Sequence, residues 1–145
     1  MVLEAFNAGC NIVAFIKNNQ KYGMCCSWAQ MVDYDKISLL LGAQSDTGKM
    51  MELSDIVGVS ALASDQKEIA LMLGSGHSSK MDKFAKVSFT VQDNAILIND
   101  AKVQMKCQVR QIVRLNGLEQ DRLVIFDVLD FKQDQNRDFL NAYEI

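Results

Sequence analysis

The sequence predicts a mainly β fold, a small antiparallel barrel with short helical inserts. At least six segments have the length and composition of strands, whereas only three short segments carry helix signals. Closing such a sheet into a barrel removes exposed strand edges that would otherwise aggregate. The chain has 145 residues, 49% of them hydrophobic and 23% charged, which is enough for one domain with a real core. We therefore expect a single domain over residues 1–145.

Four strands are predicted in the first half of the chain, because each segment is short, rich in apolar residues and bounded by polar turn residues. They cover residues 10–16, 21–29, 37–41 and 56–62. The first two flank the sequence Asn18-Asn19-Gln20, so we expect them to form a hairpin.

Three short helices are predicted between the strands. One begins after Ser45-Asp46-Thr47, a second covers residues 65–73 and a third covers residues 80–85. In the second helix, Asp65 and Glu68 have the spacing of a capping box, in which each side chain satisfies a backbone amide of the first turn.

The clearest strand covers residues 102–109, where apolar residues alternate with lysine and glutamine. The alternation slips at Gln111-Ile112, which indicates a bulge. Asn116-Gly117 is a typical hairpin turn, and residues 122–131 supply the return strand.

Composition and charge exclude several classes of function. A net charge of −3 gives no general attraction to nucleic acid or to anionic lipid, and no segment approaches the ~20 apolar residues of a membrane span. One histidine and four cysteines without paired spacing predict no metal site and no hydrolytic triad. Together with an N-terminus that lacks a signal-peptide pattern, they predict a soluble, cytoplasmic protein with reduced thiols.

Five short motifs, in order along the chain, point to a known family. Tyr22-Gly23-Met24-Cys25-Cys26-Ser27-Trp28 resembles the G-M-T-x-S-W signature of the flavin reductase-like, FMN-binding split-barrel family. The other four segments each resemble a motif of the same family: Ser45-x-Thr47, residues 54–62, Ser75-Gly76 with Asp82-Lys83-Phe84, and Ala101 with Cys107 and Val109. The resemblance spans residues 9–131 and implies a Greek-key split barrel, commonly a homodimer, with FMN near the subunit interface.

Some residues depart from the family pattern. Cys25 replaces the threonine of G-M-T, while Asp55 and Ser60 replace a glycine and an asparagine of the family strand that residues 54–62 resemble. The double proline that follows the tryptophan loop in the family is missing. Arg122 replaces a histidine that the family associates with nicotinamide use, so the resemblance leaves turnover of NADH or NADPH open.

The resemblance also implies which residues hold FMN. Ser45 and Thr47 would offer hydroxyls to the phosphate, together with backbone N–H groups of the helix that they begin, although such residues often only cap a helix. Asp46 would repel the phosphate unless it faces outward or is compensated by Lys49, Lys80 or Lys83. Lys83 is the preferred cation, with a plain surface lysine as the alternative. Ser60 completes this set.

Residues 24–28 (Met24, Cys25, Cys26, Ser27 and Trp28) form the second part of the expected FMN site. Backbone amides there would stabilise the negative charge that develops on the reduced flavin. Trp28 itself is expected in the core more often than against the cofactor.

The remaining candidates are the thiols and the basic or histidine side chains. Of Cys25 and Cys26, one is expected in the core and the other in the pocket or in solvent, and Cys107 is expected to be inert packing. His77 and Arg122 are candidates for a nicotinamide or lid role, with a plain surface histidine as the alternative for His77.

Three functions remain open from the sequence. The first is an FMN-binding oxidoreductase that passes electrons from NADH or NADPH to free flavin or to a protein partner, with the cofactor rather than a catalytic side chain carrying the chemistry. The second is an FMN-binding electron carrier or flavin-binding module without a nicotinamide site, which Arg122 favours. The third is a barrel that has lost its cofactor, which Asp46 and Asp55 favour.

Overall fold

The computed structural model describes residues 1–42, 45–74 and 82–145, and these form a mainly β structure. The predicted fold class is confirmed, since the strands pair throughout as antiparallel neighbours. In the described residues the strands are β1 Asn11–Lys17, β2 Gln20–Cys26, β3 Ala29–Asp33, β4 Lys36–Leu41, β5 Ile56–Ala61, β6 Phe89–Gln92, β7 Ala95–Ile98, β8 Val103–Leu115 and β9 Leu118–Gln133. The helices are α1 Asp46–Met50, α2 Lys67–Leu73 and the 3₁₀ helix α3 Ala142–Glu144. None of the helices within the described ranges is both long and apolar enough to cross a bilayer.

Strand β1 is the branching point of the sheet. The order is β3-β4-β9-β8-β5-β1-β7-β6, and β2 pairs with β1 outside this path. Residues 11–14 of β1 pair with β2 and with β5, whereas Phe15 pairs with Tyr22 of β2 and with Ala95 of β7. One sheet therefore curls around two separate cores.

The two cores lie on opposite sides of β1, because alternate residues of a strand face opposite ways. Val13 and Phe15 belong to the barrel core, which also contains Phe126. Ile12 and Ala14 belong to the helix-side core, which packs beneath α2.

The two predicted hairpin turns are confirmed. Asn18 and Asn19 both have positive φ angles (52° and 62°) and join β1 to β2, as a tight turn requires. Gly117 (φ 87°) joins β8 to β9, and the pairing of these strands shifts between Val109 and Gln111, beside the predicted bulge.

Two strand predictions need correction. The predicted strand over 21–29 is really two strands, because the chain leaves β2 after Cys26 and enters the edge strand β3 at Ala29. The hairpin of β6 and β7 was not predicted at all, although its turn residues Asp93 and Asn94 have the positive φ angles of a tight turn.

Two helix predictions also need correction. Helix α2 begins at Lys67, and within the described residues its N-cap position carries no side-chain cap, so the predicted capping box is wrong. Asp65 instead receives hydrogen bonds from Arg137. The third predicted helix is absent from its described residues, because residues 83–86 form a turn, and its positions 80 and 81 lie outside the described residues.

Candidate functional site

The turn from β2 to β3 contains Ser27 and Trp28 and is fixed by backbone contacts to β4. The amide of Leu40 donates to the carbonyl of Trp28 (2.9 Å), and the amide of Ala29 donates to the carbonyl of Ser27 (3.0 Å). The indole is 72% exposed, so the expectation that Trp28 lies in the core is wrong. Because β3 is an edge strand with five exposed residues, nothing in the described chain covers the ring. Trp28 is thus a large exposed aromatic surface at the predicted FMN loop.

The adjacent cysteines of β2 enter the two different cores. Cys26 packs in the barrel core and its thiol donates to the carbonyl of Leu40 (3.2 Å), whereas the half-buried Cys25 packs against the helix-side core. The prediction of a core position is thus confirmed for Cys26, but Cys25 packs against protein as well. Burial raises the pKa of Cys25 to about 12 and that of Cys26 to about 11. Both thiols are therefore protonated and poor nucleophiles at neutral pH.

Cys107 is fully buried in the barrel core, as predicted. Burial raises its pKa to about 12. It is inert packing, because a thiol without access to solvent and without thiolate character neither reacts nor binds metal.

Helix α1 carries the two hydroxyls predicted to bind phosphate. Ser45 stands at its N-cap in an extended conformation, but no cap hydrogen bond from its side chain is found in the described part of the chain. Thr47 is 1% exposed, and its Oγ1 has no hydrogen-bond partner among the described residues. An unpaired buried hydroxyl costs roughly 1–3 kcal/mol, so Thr47 Oγ1 is the clearest unsatisfied polar group near the predicted FMN site. Simple helix capping does not account for these two hydroxyls.

The C-terminal end of α1 is held by two cations. Arg122 Nη1 donates to the carbonyls of Gly48 (2.9 Å) and Met51 (2.8 Å). Lys17 Nζ donates to the carbonyl of Met50 (2.9 Å) and is itself ion-paired with Glu52 and with Asp55 (2.8 Å). Asp55 thus belongs to a structural ion pair, and Arg122 reaches backbone rather than open solvent.

Lys83 lies at the junction of three elements. Its side chain is 8% exposed, and Nζ donates to the carbonyls of Gly23 in β2 (3.1 Å) and Leu73 in α2 (3.2 Å). Burial lowers the pKa of Lys83, and the nearby carboxylate of Asp46 opposes that shift. The alternative of a plain surface lysine is wrong, and the predicted electrostatic pairing with Asp46 is present.

The other predicted site residues are placed differently. Ser60 is fully buried in β5, and its hydroxyl accepts a hydrogen bond from the amide of Ile98 (3.0 Å), so it joins β5 to β7. Met24 is half-buried against the barrel core. His77, like Ser75 and Gly76, lies outside the described residues. The structure brings Lys83 together with Asp46 of α1 and with β2, whereas it bonds Ser60 to β7.

A large apolar cleft adjoins the predicted site, and the sequence reasoning missed it. Its volume is about 790 Å³, which is within the usual range for ligand pockets. Its rim includes the exposed side chains of Met31, Tyr34, Phe131 and Phe139. The only sequence signal for this cleft was a pair of adjacent apolar residues in β3. A strand with one face in solvent would instead alternate apolar and polar residues.

The family model described as "Flavin reductase like domain" matches residues 3–143, so the chain belongs to this family. No curated protein sequence matches the chain closely enough to count as a relative.

Solved structures with the same fold include flavin enzymes and flavin-binding proteins. The NADH:FAD oxidoreductase SgcE6 of Streptomyces globisporus is similar with a TM-score of 0.82 at 17% identity, over 92% of this chain and 80% of that one. Flavin reductase PheA2 is similar with a TM-score of 0.75 at 22% identity, over 90% and 82%. An FMN-binding protein from Thermus thermophilus gives a TM-score of 0.80 at 11% identity, over 92% and 75%. At these identities the similarity establishes the split-barrel fold.

Proposed function

We propose that the protein is an FMN-binding oxidoreductase that passes electrons from NADH or NADPH through bound FMN to free flavin or to a protein partner. Membership of the flavin reductase-like family over residues 3–143 is the observation that carries this proposal. One similar structure, of the Streptomyces globisporus enzyme, contains NAD and FAD fragments. The cofactor would supply hydride acceptance at its ring, and the protein would bind, orient and shield it.

The residues around α1 fit the phosphate end of FMN. The Thr47 hydroxyl is buried and unpaired, so a phosphate oxygen would satisfy it. Ser45 lies two residues before it and offers a second hydroxyl. The charge of Lys83 partly offsets that of Asp46, which reduces the repulsion that this carboxylate would exert on a phosphate.

The turn between β2 and β3 fits the ring system. Its backbone is fixed by hydrogen bonds from Leu40 and Ala29, so its amides are preorganised for the polar edge of a flavin. The exposed Trp28 supplies an aromatic face of the kind that packs against another ring at about 4.5–7 Å between centroids. We assign the turn to the isoalloxazine and α1 to the phosphate.

The first test is the visible spectrum of the purified protein after FMN has been added and the excess removed by gel filtration. A shifted flavin spectrum at close to one FMN per chain supports the proposal. Rapid anaerobic bleaching of that flavin by NADH or NADPH then supports the reductase activity. A colourless protein would contradict flavin binding and leave a barrel without a cofactor.

A second candidate function is an FMN-binding electron carrier or module that has no nicotinamide site. The specific observation is that Arg122 stands where many family members have the histidine associated with nicotinamide, and its guanidinium is bound to backbone carbonyls of α1. This candidate predicts retained FMN that is not bleached by either nicotinamide but is reduced by dithionite.

We also propose a homodimer in which the second copy covers the apolar cleft. The cleft is rimmed by Met31, Tyr34, Phe131 and Phe139, whose exposure in one chain is unusual for a monomer surface. Light scattering coupled to gel filtration should give twice the chain mass, and Phe131→Asp should give the monomer mass. A monomeric wild type at micromolar concentration would contradict the proposed homodimer.

A cytoplasmic location of the protein stays a prediction.

A further inference from the structure

Helix α1 lacks the usual means of holding its own shape. It has five residues, one of them glycine, and isolated helices shorter than about 12 residues are marginal in water. In the described chain its N-cap residue provides no side-chain cap. Its position must therefore depend on contacts with the rest of the protein, namely the burial of Thr47, Gly48 and Met51 and the cations at its C-terminal end.

Arg122 restrains α1 by contacting the chain both before the helix begins and at its C-terminal end. Its backbone pairs with Leu41, the last residue of β4, before the chain enters the segment leading to α1. Its guanidinium binds the carbonyls of Gly48 and Met51, which follow that segment. A charged guanidinium is a strong hydrogen-bond donor to carbonyls. Its positive charge also interacts favourably with the negative, C-terminal end of the helix dipole.

The restraint acts next to the unpaired hydroxyl. Gly48, whose carbonyl accepts from Arg122, directly follows Thr47 in the chain. A hydrogen bond to a phosphate oxygen tolerates only a few tenths of an ångström of displacement before it weakens. Any shift of α1 toward or away from β9 would therefore change what Thr47 Oγ1 can reach.

We propose that Arg122 is a positioning residue that fixes α1 so that Thr47, with Ser45, receives the phosphate of the flavin. Its effect is therefore selectivity for a phosphorylated flavin over riboflavin, which lacks the phosphate. Lys17 acts in the same way from β1 through the carbonyl of Met50. This inference rests on the proposed flavin binding and adds to it the residue that determines which flavin is preferred.

The test compares dissociation constants for FMN and riboflavin, measured by flavin fluorescence at two salt concentrations. Arg122→Gln removes the charge, Arg122→Lys keeps it, and Arg114→Gln is the matched control, because Arg114 is exposed on the same hairpin and donates to Glu119. We expect Arg122→Gln to weaken FMN binding about tenfold and to change riboflavin binding less than about twofold, since only the phosphate contact is displaced. Arg122→Lys should recover part of the loss, and Arg114→Gln should match the wild type.

Lys17→Met provides an independent variant should Arg122→Gln fold poorly, and it should show the same FMN-selective loss. Equal losses for both flavins, or none for either, would overturn the inference while leaving flavin binding intact. A salt dependence of FMN binding that flattens in Arg122→Gln would also overturn it, because Arg122 would then contact the phosphate itself. A wild type that binds neither flavin would overturn the proposed function and the inference together.

Discussion

Replacing Thr47 with valine should stabilise the protein without FMN and weaken its binding of FMN. Valine has the shape of threonine and nearly the same helix propensity, so the substitution removes little besides the hydroxyl. That hydroxyl is buried and has no partner among the described residues. The two effects have opposite signs because the group is unsatisfied in the free protein and satisfied by the ligand.

The size of each effect follows from the burial and the chain length. An unsatisfied buried hydroxyl costs roughly 1–3 kcal/mol, so its removal should add about 1 kcal/mol to the free energy of unfolding. For 145 residues the unfolding entropy is about 0.3 kcal/mol/K near 60 °C, and 1 kcal/mol therefore raises the Tm by about 3 °C. Loss of one hydrogen bond to phosphate should weaken FMN binding about tenfold, which lowers the stabilisation by saturating FMN by about 1.4 kcal/mol.

The assay is thermal unfolding of wild type and variant with and without a fixed excess of FMN. Thr90→Val is the matched control, because Thr90 Oγ1 is exposed and donates to Asn99 (2.8 Å), so its loss should not raise the Tm. A Thr47→Val protein whose Tm falls without FMN would refute the reasoning, since the hydroxyl would then have a partner such as a bound water. An unchanged shift by FMN would refute the role of Thr47 in phosphate binding.

Three further predictions concern the scaffold. Gly58→Ala should destabilise the protein by about 1–3 kcal/mol in chemical denaturation, because its Cβ would lie 2.0 Å from the carbonyl oxygen of Ile96, a backbone atom that cannot turn aside. All four thiols should react slowly with a thiol reagent at pH 8 and fast in denaturant, because a pKa of about 12 leaves Cys25 as thiolate in roughly one molecule in ten thousand. Arg110→Gln should raise the pKa of Asp127 in a carboxyl NMR titration, because the hydrogen bond from Arg110 is the largest cause of its lowered pKa.

Each of these three predictions has a control variant or an opposite outcome that can contradict it. Gly9→Ala should be mild by comparison, since its Cβ would meet nothing closer than 3.8 Å. Rapid labelling of the native protein would contradict the burial of the thiols. Because the pKa of Asp127 is lowered by folding, its contribution to stability is present at neutral pH and lost as pH falls through that lowered pKa. Arg110→Gln should therefore reduce the acid dependence of stability, and an increase would contradict the pairing.

Local sequence patterns predicted the elements whose stability is local. The hairpin of β8 and β9 follows from alternation and from Asn116-Gly117, and both are present in the structure. The hairpin of β6 and β7 escaped prediction because its strands have four residues each, and all four of those in β7 are buried, which removes the alternation that marks a strand. Its turn, Asp93-Asn94, was the available signal.

Features that depend on residues far apart in the chain could not be predicted from the sequence. The capping box at Asp65 failed because Arg137, 72 residues further along the chain, offers that carboxylate a charged partner at 3.1 Å. Trp28 was expected in the core because large aromatic residues usually are, but it lies where the chain turns onto an edge strand. In both cases the sequence showed the residue type, and only the sheet topology showed its surroundings.

The two basic residues of the candidate site illustrate the same limit. The resemblance directed Lys83 and Arg122 toward ligands, yet each is bound to two backbone carbonyls: those of Gly23 and Leu73 for Lys83, and those of Gly48 and Met51 for Arg122. Loss of either cation would thus disturb the segments that hold a flavin even if neither cation touches it. Weakened binding in such a variant is therefore no proof of contact. A comparison of FMN with riboflavin shows whether the loss is confined to the phosphate end, because both flavins share every contact except those to the phosphate. The salt dependence of FMN binding then separates a displaced phosphate site from a lost charge.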